Sequence, residues 1–216
     1  MIKGILFDLD GTLCDTLPAL MHAMNITRAR FSLPPLDRDG VLYGINDGPR
    51  AFVARTFPEN TSERVIDEAT AWYIKDYRDC FAQTRDAFPG MRETIAALHR
   101  KNIKTGVLTN KEDAAAHRLV EQIFGAGTFD PIRGVVDAPL KPDPAAALSI
   151  AASYGATPRQ MCFVGDSHID MQTGKNAGMH TVGVSFGYKP VEVLLANGAE
   201  HIINAPGELL DLVEKL

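Results

Sequence analysis

Asp8 and Asp10 flank a single leucine in the stretch Phe7-Asp8-Leu9-Asp10-Gly11-Thr12. In an extended segment residues i and i+2 face the same way, so the two carboxylates share a side. Two like charges held together are unfavourable unless something positive lies between them. The pair is therefore either a solvated strand end or part of a cation site. Other residues able to do chemistry recur downstream: Thr109 and Asn110 after an apolar run, Lys141 in Leu-Lys-Pro-Asp-Pro, and Asp166 with Asp170 in Gly-Asp-Ser-His-Ile-Asp. Each has an ordinary reading when taken singly. Asp-Gly is a common turn, Thr-Asn a common helix cap, Lys141 a loop charge, and acids suit the first turn of a helix. Taken jointly these readings leave several acidic groups crowded without a counter-charge. A hard cation such as Mg2+ relieves the crowding, because it takes a few carboxylate or carbonyl oxygens and completes its shell with water and phosphate oxygens. The Thr109 hydroxyl, the Asn110 amide and the Lys141 ammonium suit a phosphate group. A carboxylate beside such a phosphate can attack phosphorus.

The elements that must bring these residues together follow from hydrophobic periodicity. Gly4 to Leu9 is short, apolar and closed by Asp-Gly, which reads as a buried strand ending in a turn. From Leu17 the period becomes helical, with Leu20, Met24, Thr27 and Phe31 on one stripe and Pro34-Pro35 as a stop. Further helices are predicted over 48–56 and from about 60 to 81, where Ile66, Ala69, Tyr73 and Phe81 recur. After Ala87-Phe88-Pro89-Gly90 strands and helices alternate to the end of the chain. Strands are expected at 103–110, 132–135, 161–165, 181–185 and 201–203, with helices between and after them. Such alternation specifies a parallel sheet covered on both faces. The fold class is thus α/β, a Rossmann-like sheet, with an all-helical insertion directly after the first strand. Ligands of open parallel sheets bind beyond the carboxyl ends of the strands, where all the residues above are expected to lie.

Composition limits the alternatives. The 216 residues carry 27 acidic against 22 basic side chains, a net charge of −5, which argues against a nucleic-acid-binding surface. Cys14, Cys80 and Cys162 are odd in number and widely separated, so neither a disulfide framework nor a structural zinc is expected. The amino terminus lacks a signal-peptide pattern, and no segment has the roughly 20 apolar residues of a membrane span. A reduced, cytoplasmic setting is predicted, with a small-molecule partner, no nucleic acid, no membrane and an open oligomeric state. The six histidines show no pairs at metal spacing; His168 is the one nearest a site residue.

The segments Asp8-Leu-Asp-Gly-Thr-Leu-Cys-Asp-Thr16, Val107-Leu-Thr-Asn-Lys111, Lys141-Pro-Asp-Pro144 and Val164-Gly-Asp-Ser-His-Ile-Asp170 occur in that order. Together they resemble the four motifs of haloacid dehalogenase-superfamily phosphatases, and the later Asn-Ala-Gly-Met and Val-Ser-Phe-Gly-Tyr segments are similar to the phosphoglycolate phosphatase-like branch. The resemblance implies a core of residues 1–14 and 84–216 and a helical cap of residues 15–83. It implies Asp8 as nucleophile, Asp10 as general acid/base, and Thr109, Asn110 and Lys141 at the transferring phosphoryl group. Mg2+ would be held by the Asp8 carboxylate, the Asp10 main-chain carbonyl and Asp166, with Asp170 acting from behind them. The aspartate at position 10 favours ester hydrolysis over dehalogenation, since an alkoxide leaving group needs a proton. The implied activity is Mg2+-dependent hydrolysis of a small phosphomonoester through an aspartyl-phosphate, with 2-phosphoglycolate as the substrate first expected.

Two other readings use the same residues: a phosphomutase similar to β-phosphoglucomutase, and a non-enzymatic phospho-acceptor module. The second is disfavoured by the helical insertion. A dinucleotide site is excluded by the absence of Gly-x-Gly-x-x-Gly after the first strand. Within the insert, Arg50, Arg55, Lys75 and Arg78 are by default solvated. Arg50, in a loop entering a helix, is the residue expected to reach a substrate carboxylate.

Overall fold

The first strand, β1 (Gly4–Phe7), is buried at every position, as a central strand of a two-sided sheet must be. The computed structural model describes residues 1–45, 47–80, 86–136 and 139–216, so the expected helical position Phe81 and the expected boundary between residues 83 and 84 lie outside the described residues. β1 is followed by α1 (Leu17–Arg30), α2 (Arg38–Gly44), α3 (Gly48–Thr56) and α4 (Glu63–Cys80) before the alternating part begins. That part runs α5 (Met91–Arg100), β2 (Lys104–Glu112), α6 (Asp113–Phe124), β3 (Ile132–Val135), α7 (Ala145–Ser153), β4 (Met161–Gly165), α8 (His168–Ala177), β5 (His180–Val184), α9 (Val191–Ala196), β6 (His201–Ile203) and α10 (Glu208–Lys215).

The six strands are parallel in the order β3-β2-β1-β4-β5-β6. The chain thus starts in the middle of the sheet and builds outward twice, leaving a crevice at the carboxyl ends of β1 and β4 where the direction reverses. Alternation along β1 divides the interior: Ile5 and Phe7 join a large apolar cluster with α5, α6 and α10, while Leu6 packs with Ala147, Ile150 and Phe163 on the other face. Phe7 and Phe163 have no exposed surface, each worth about 1.5–3 kcal/mol of burial.

The sequence-based strands and helices recur within a residue or two of their predicted ends, save that the helix expected from about 60 starts at Glu63 and its expected end at 81 lies outside the described residues. The exception is α2, which was not predicted. It is 7 residues long and contains two glycines, so it lacks a readable period; the Asp37 carboxylate accepts from the Gly40 amide and starts it. Apolar residues of α1, α3 and α4, including Leu20, Met24, Phe52 and Tyr73, continue the same cluster that covers the sheet. Asp76 of α4, buried, accepts from Thr27 and pairs with Arg30 at 2.8 Å, fastening α4 to α1.

Candidate active site

Asp8 is the residue immediately after β1, and its amide donates to the Val164 carbonyl at 2.9 Å, so the ladder with β4 continues one residue past the strand. Asp166 immediately follows β4, and Thr109 lies near the end of β2. Three adjacent strands therefore deliver the predicted residues to one crevice, as the register requires. The side chains of Asp8, Thr109, Asn110, Lys141, Asp166 and Asp170 are all buried.

Lys141 organises the charge. Its ammonium donates to Asp8 Oδ1 at 2.7 Å and to Asp170 Oδ1 at 2.6 Å. Burial opposes its charge, but Asp170 and Asp8 more than offset that and raise its pKa. The other Asp170 oxygen accepts from the Ser167 amide at 3.0 Å and hydroxyl at 2.6 Å. Ser167 in turn accepts from the Asp170 amide, closing a reciprocal cap on α8. Both oxygens of Asp170 are thus engaged in holding Lys141 and the helix start, in keeping with a supporting position.

Asp166 accepts from Thr12 Oγ1 at 3.3 Å and from the Tyr188 amide at 2.7 Å. Gly11 and Gly187 press against it so closely that a Cβ on either would collide with the carboxylate side chain, and Gly11 also has φ +83°. One carboxylate oxygen from each of Asp8, Asp166 and Asp170 lies within 4.8 Å of the others. Burial, then Asp170, raise the Asp8 pKa to about 6 against the opposing pull of Lys141. Burial, Asp170 and Asp8 push Asp166 well above the usual carboxylate range. Three buried carboxylates facing one ammonium are short of positive charge, and the all-oxygen donor set suits a hard divalent cation.

The Asp10 carboxylate is turned away from this group. Oδ1 accepts from Thr16 Oγ1 at 2.5 Å, and Oδ2 pairs with Lys111 Nζ at 2.8 Å. Its side chain thus stands apart from the carboxylate trio, leaving the main-chain carbonyl as the atom proposed for a cation. The Asn110 side chain also touches Lys141. Its side-chain amide donates to the Lys141 carbonyl at 3.1 Å and accepts from the Lys141 amide at 2.8 Å, which places the lysine.

Arg50 does not reach the site, a correction to the sequence reading. It is exposed, pairs with Asp67 at 2.8 Å, and also bonds Glu63. Glu63 and Asp67 lie one turn apart on α4, so a guanidinium emerging from α3 meets two carboxylates before it meets the crevice. Its neighbours Gly48 and Pro49 line the cavity instead.

Side chains that touch the candidate site residues and are not singled out by the sequence are Lys111, Thr16, Ser167 and Tyr188. Lys111 and Tyr188 fall inside motif segments but carried no recognisable role. The Tyr188 oxygen accepts from the Thr16 and Leu17 amides at 2.8 and 2.9 Å and donates to Asp15 at 2.9 Å, pinning the start of α1. Ser167 was legible as the first residue of a Ser-x-x-Asp cap. A second group within the described residues, His180, Glu200 and His201, lies at the amino-terminal ends of β5 and β6, the opposite edge of the sheet, with His180 and Glu200 3.0 Å apart.

The cavity is lined from the sheet side by Asp8, Asp10, Thr109, Asn110, Lys111 and Lys141. From the helical side it is lined by Leu20, Ile45, Phe52, Tyr73, Ile74 and Tyr77. A parallel sheet in this strand order, carrying a lysine-bridged carboxylate group at its switch point, defines the haloacid dehalogenase-like class. The sequence profile of the haloacid dehalogenase-like hydrolases matches residues 5–184, and the chain belongs to that family. Within it the chain is a phosphatase of the phosphoglycolate phosphatase-like branch. It is 35% identical over 199 residues to a phosphoglycolate phosphatase of Rhodospirillum rubrum, covering 87% of this chain and 81% of that one. It is 30% identical over 219 residues to the N-acetylmuramic acid 6-phosphate phosphatase of Pseudomonas aeruginosa, covering 99% and 96%. The crystal structure of a predicted phosphoglycolate phosphatase from Haemophilus somnus superposes with a TM-score of 0.91 at 25% identity, covering 98% of this chain and 97% of that one.

Proposed function

We propose that this phosphatase hydrolyses a small phosphomonoester through an aspartyl-phosphate on Asp8, with Mg2+ as its cofactor. The observation that carries the reading is the Asp8 carboxylate at the end of β1, 2.7 Å from Lys141 and grouped with Asp166 and Asp170. Asp8, Asp166 and the Asp10 carbonyl would hold the cation, which supplies positive charge to the phosphoryl oxygens. Asp8 attacks phosphorus and the ester C–O oxygen departs; Asp10 gives that oxygen a proton. Asp10 then takes a proton from the water that attacks the aspartyl-phosphate, releasing phosphate and restoring Asp8. Thr109 and Lys141 bind the phosphoryl oxygens, while Asn110 and Asp170 hold Lys141 in place. Residues 15–83 act as a cap whose helices close the crevice and exclude water.

For the substrate, 2-phosphoglycolate is supported by the names of several relatives. A second reading, a bulkier phosphoester such as a sugar phosphate, is favoured by the apolar and aromatic helical wall of the cavity. One relative of near-full coverage acts, by its name, on N-acetylmuramic acid 6-phosphate. Phosphate release from a panel containing 2-phosphoglycolate, glycerol 3-phosphate, hexose 6-phosphates and p-nitrophenyl phosphate, with and without Mg2+, tests all of this. Absence of net phosphate release with turnover of a sugar phosphate isomer would favour a mutase instead.

A further inference from the structure

Two lysines enter the crevice, and they serve different carboxylates. Lys141 takes Asp8 and Asp170, whereas Lys111 takes Asp10. The Lys111 side chain is only 5% exposed, so it is not a solvated surface charge. A buried ammonium must be matched by partners, and those of Lys111 are Asp10 Oδ2 at 2.8 Å and the Tyr77 phenol oxygen at 2.9 Å, with its charge 4.2 Å from the Tyr77 ring centre. Its backbone amide donates to Thr109 Oγ1 at 3.3 Å, tying its place on β2 to a residue of the phosphoryl side.

Tyr77 belongs to α4, in the helical insert, and burial keeps its hydroxyl well above its ordinary pKa, hence protonated. The next residue of that helix, Arg78, pairs at 2.8 Å with Glu112, the next residue of β2. Consecutive residues of α4 are thus fastened to consecutive residues of the strand end.

We infer that Lys111 is a positioning residue for the Asp10 carboxylate, and that Tyr77 makes its hold depend on the seating of the helical insert. This rests on the assignment of Asp10 as acid/base made above. A carboxylate has two rotatable bonds, and proton delivery needs its oxygen placed within about 0.5 Å. Thr16 holds one oxygen and Lys111 the other, so the rotamer is set from both sides. When α4 is seated, Tyr77 orients the ammonium; when α4 lifts, the lysine loses that partner and Asp10 loses a fixed neighbour. The acid is thereby in order only when the crevice is covered.

The test exploits the leaving group. An alkoxide needs a proton from Asp10, whereas p-nitrophenolate leaves without one. Lys111→Met is expected to lower kcat/KM for glycerol 3-phosphate about 100-fold and that for p-nitrophenyl phosphate less than about threefold. Tyr77→Phe keeps the ring and is expected to show the same pattern at about three- to tenfold, which preserves the test if Lys111→Met folds poorly. Adding Lys111→Met to Asp10→Asn should lower activity on glycerol 3-phosphate no further than Asp10→Asn does, because the lysine acts through that carboxylate. Equal losses on both esters would overturn the inference, as would additive losses in the double variant. Loss on 2-phosphoglycolate alone would instead make Lys111 a reader of the substrate carboxylate, and the inference would fall. If Asp10→Asn itself lost kcat/KM equally on both esters, the acid assignment would fail first and take the inference with it; kcat does not discriminate, because the later attack of water, common to both esters, also uses Asp10.

Discussion

On the sheet side of the cavity the polar side chains are buried or half-buried and held by neighbours: Lys141 by Asp8 and Asp170, Asp170 by Ser167, the half-buried Asp10 by Thr16 and Lys111. On the helical side the wall is mostly aliphatic and aromatic, with the Tyr77 hydroxyl bonded to Lys111, and the arginines are paired elsewhere: Arg50 with Glu63 and Asp67, Arg55 with Asp47, Arg30 with Asp76. The difference separates two tasks. A buried, mutually held polar network fixes groups to the tolerance that bond-making needs, at the cost of desolvation. An apolar wall tolerates a range of shapes and discriminates weakly, by area covered. On the proposed mechanism the chemistry would reside on the sheet edge and the substrate choice on the helical wall.

The largest effect should come from breaking the sheet side at its centre. Asp8→Asn replaces a nucleophilic carboxylate by an amide, and turnover is expected to fall by about a thousandfold or more with the circular dichroism spectrum unchanged. A purified variant keeping a tenth of wild-type turnover would remove Asp8 from its role.

Cation removal is the next test of the same side. With Asp8 raised to about 6 and Asp166 also raised, the carboxylate group lacks charge compensation of its own. Activity in EDTA is expected to drop about a hundredfold or more and to return with Mg2+. Ca2+ in excess should inhibit, since it takes more ligands at longer distances and draws the Asp8 carboxylate into a different pose. Full activity after verified metal removal would end the metal-dependent reading.

The same contrast explains what could be read from the sequence. Asp8 and Asp166 directly follow β1 and β4, and Thr109 closes the apolar run of β2; the ends of apolar runs are legible because burial in a two-sided sheet demands continuous hydrophobicity. Their convergence follows from the parallel order alone. The surroundings of Asp10 are not legible in the sequence: Lys111 reaches it because β2 lies beside β1, and Tyr77, 34 positions before Lys111, meets that lysine only through the placement of α4. The same holds for His180 and His201, which meet because β5 and β6 are adjacent rather than through any spacing. The Asn110 side chain suits a phosphate group, but its bonds to the Lys141 backbone join residues 31 positions apart and are announced by no spacing in the sequence. Arg50 failed for a simpler reason: a loop position entering a helix leaves the direction of a long side chain undetermined until the facing helix is known.

Changes to the helical wall should be smaller and selective. Ile74 is half-buried, lines the cavity and leaves its neighbours' polar groups untouched when shortened. Ile74→Ala is expected to raise KM for p-nitrophenyl phosphate about tenfold through lost apolar contact, and to change that for 2-phosphoglycolate less than about twofold. Equal changes on both would mean that the wall does not touch the leaving group.

The smallest effect is expected at Arg50, and it sharpens the comparison most directly. If substrate choice were made by a guanidinium on the insert, Arg50→Ala would raise KM for 2-phosphoglycolate far more than for p-nitrophenyl phosphate. In the structure the guanidinium is exposed and already bonded to Asp67 and Glu63, away from Asp8 and Lys141. Turning it inward would break both pairs and bring a charge against Phe52 and Ile45, an apolar surface with nothing to accept its donors. Exposed pairs of this kind contribute little to folding, so the substitution should also leave the melting curve nearly unchanged. Both KM values are expected to stay within about twofold of wild type. A selective rise for 2-phosphoglycolate would show that the helical side reads charge after all, and would return the arginine to the site from which its partners now withhold it.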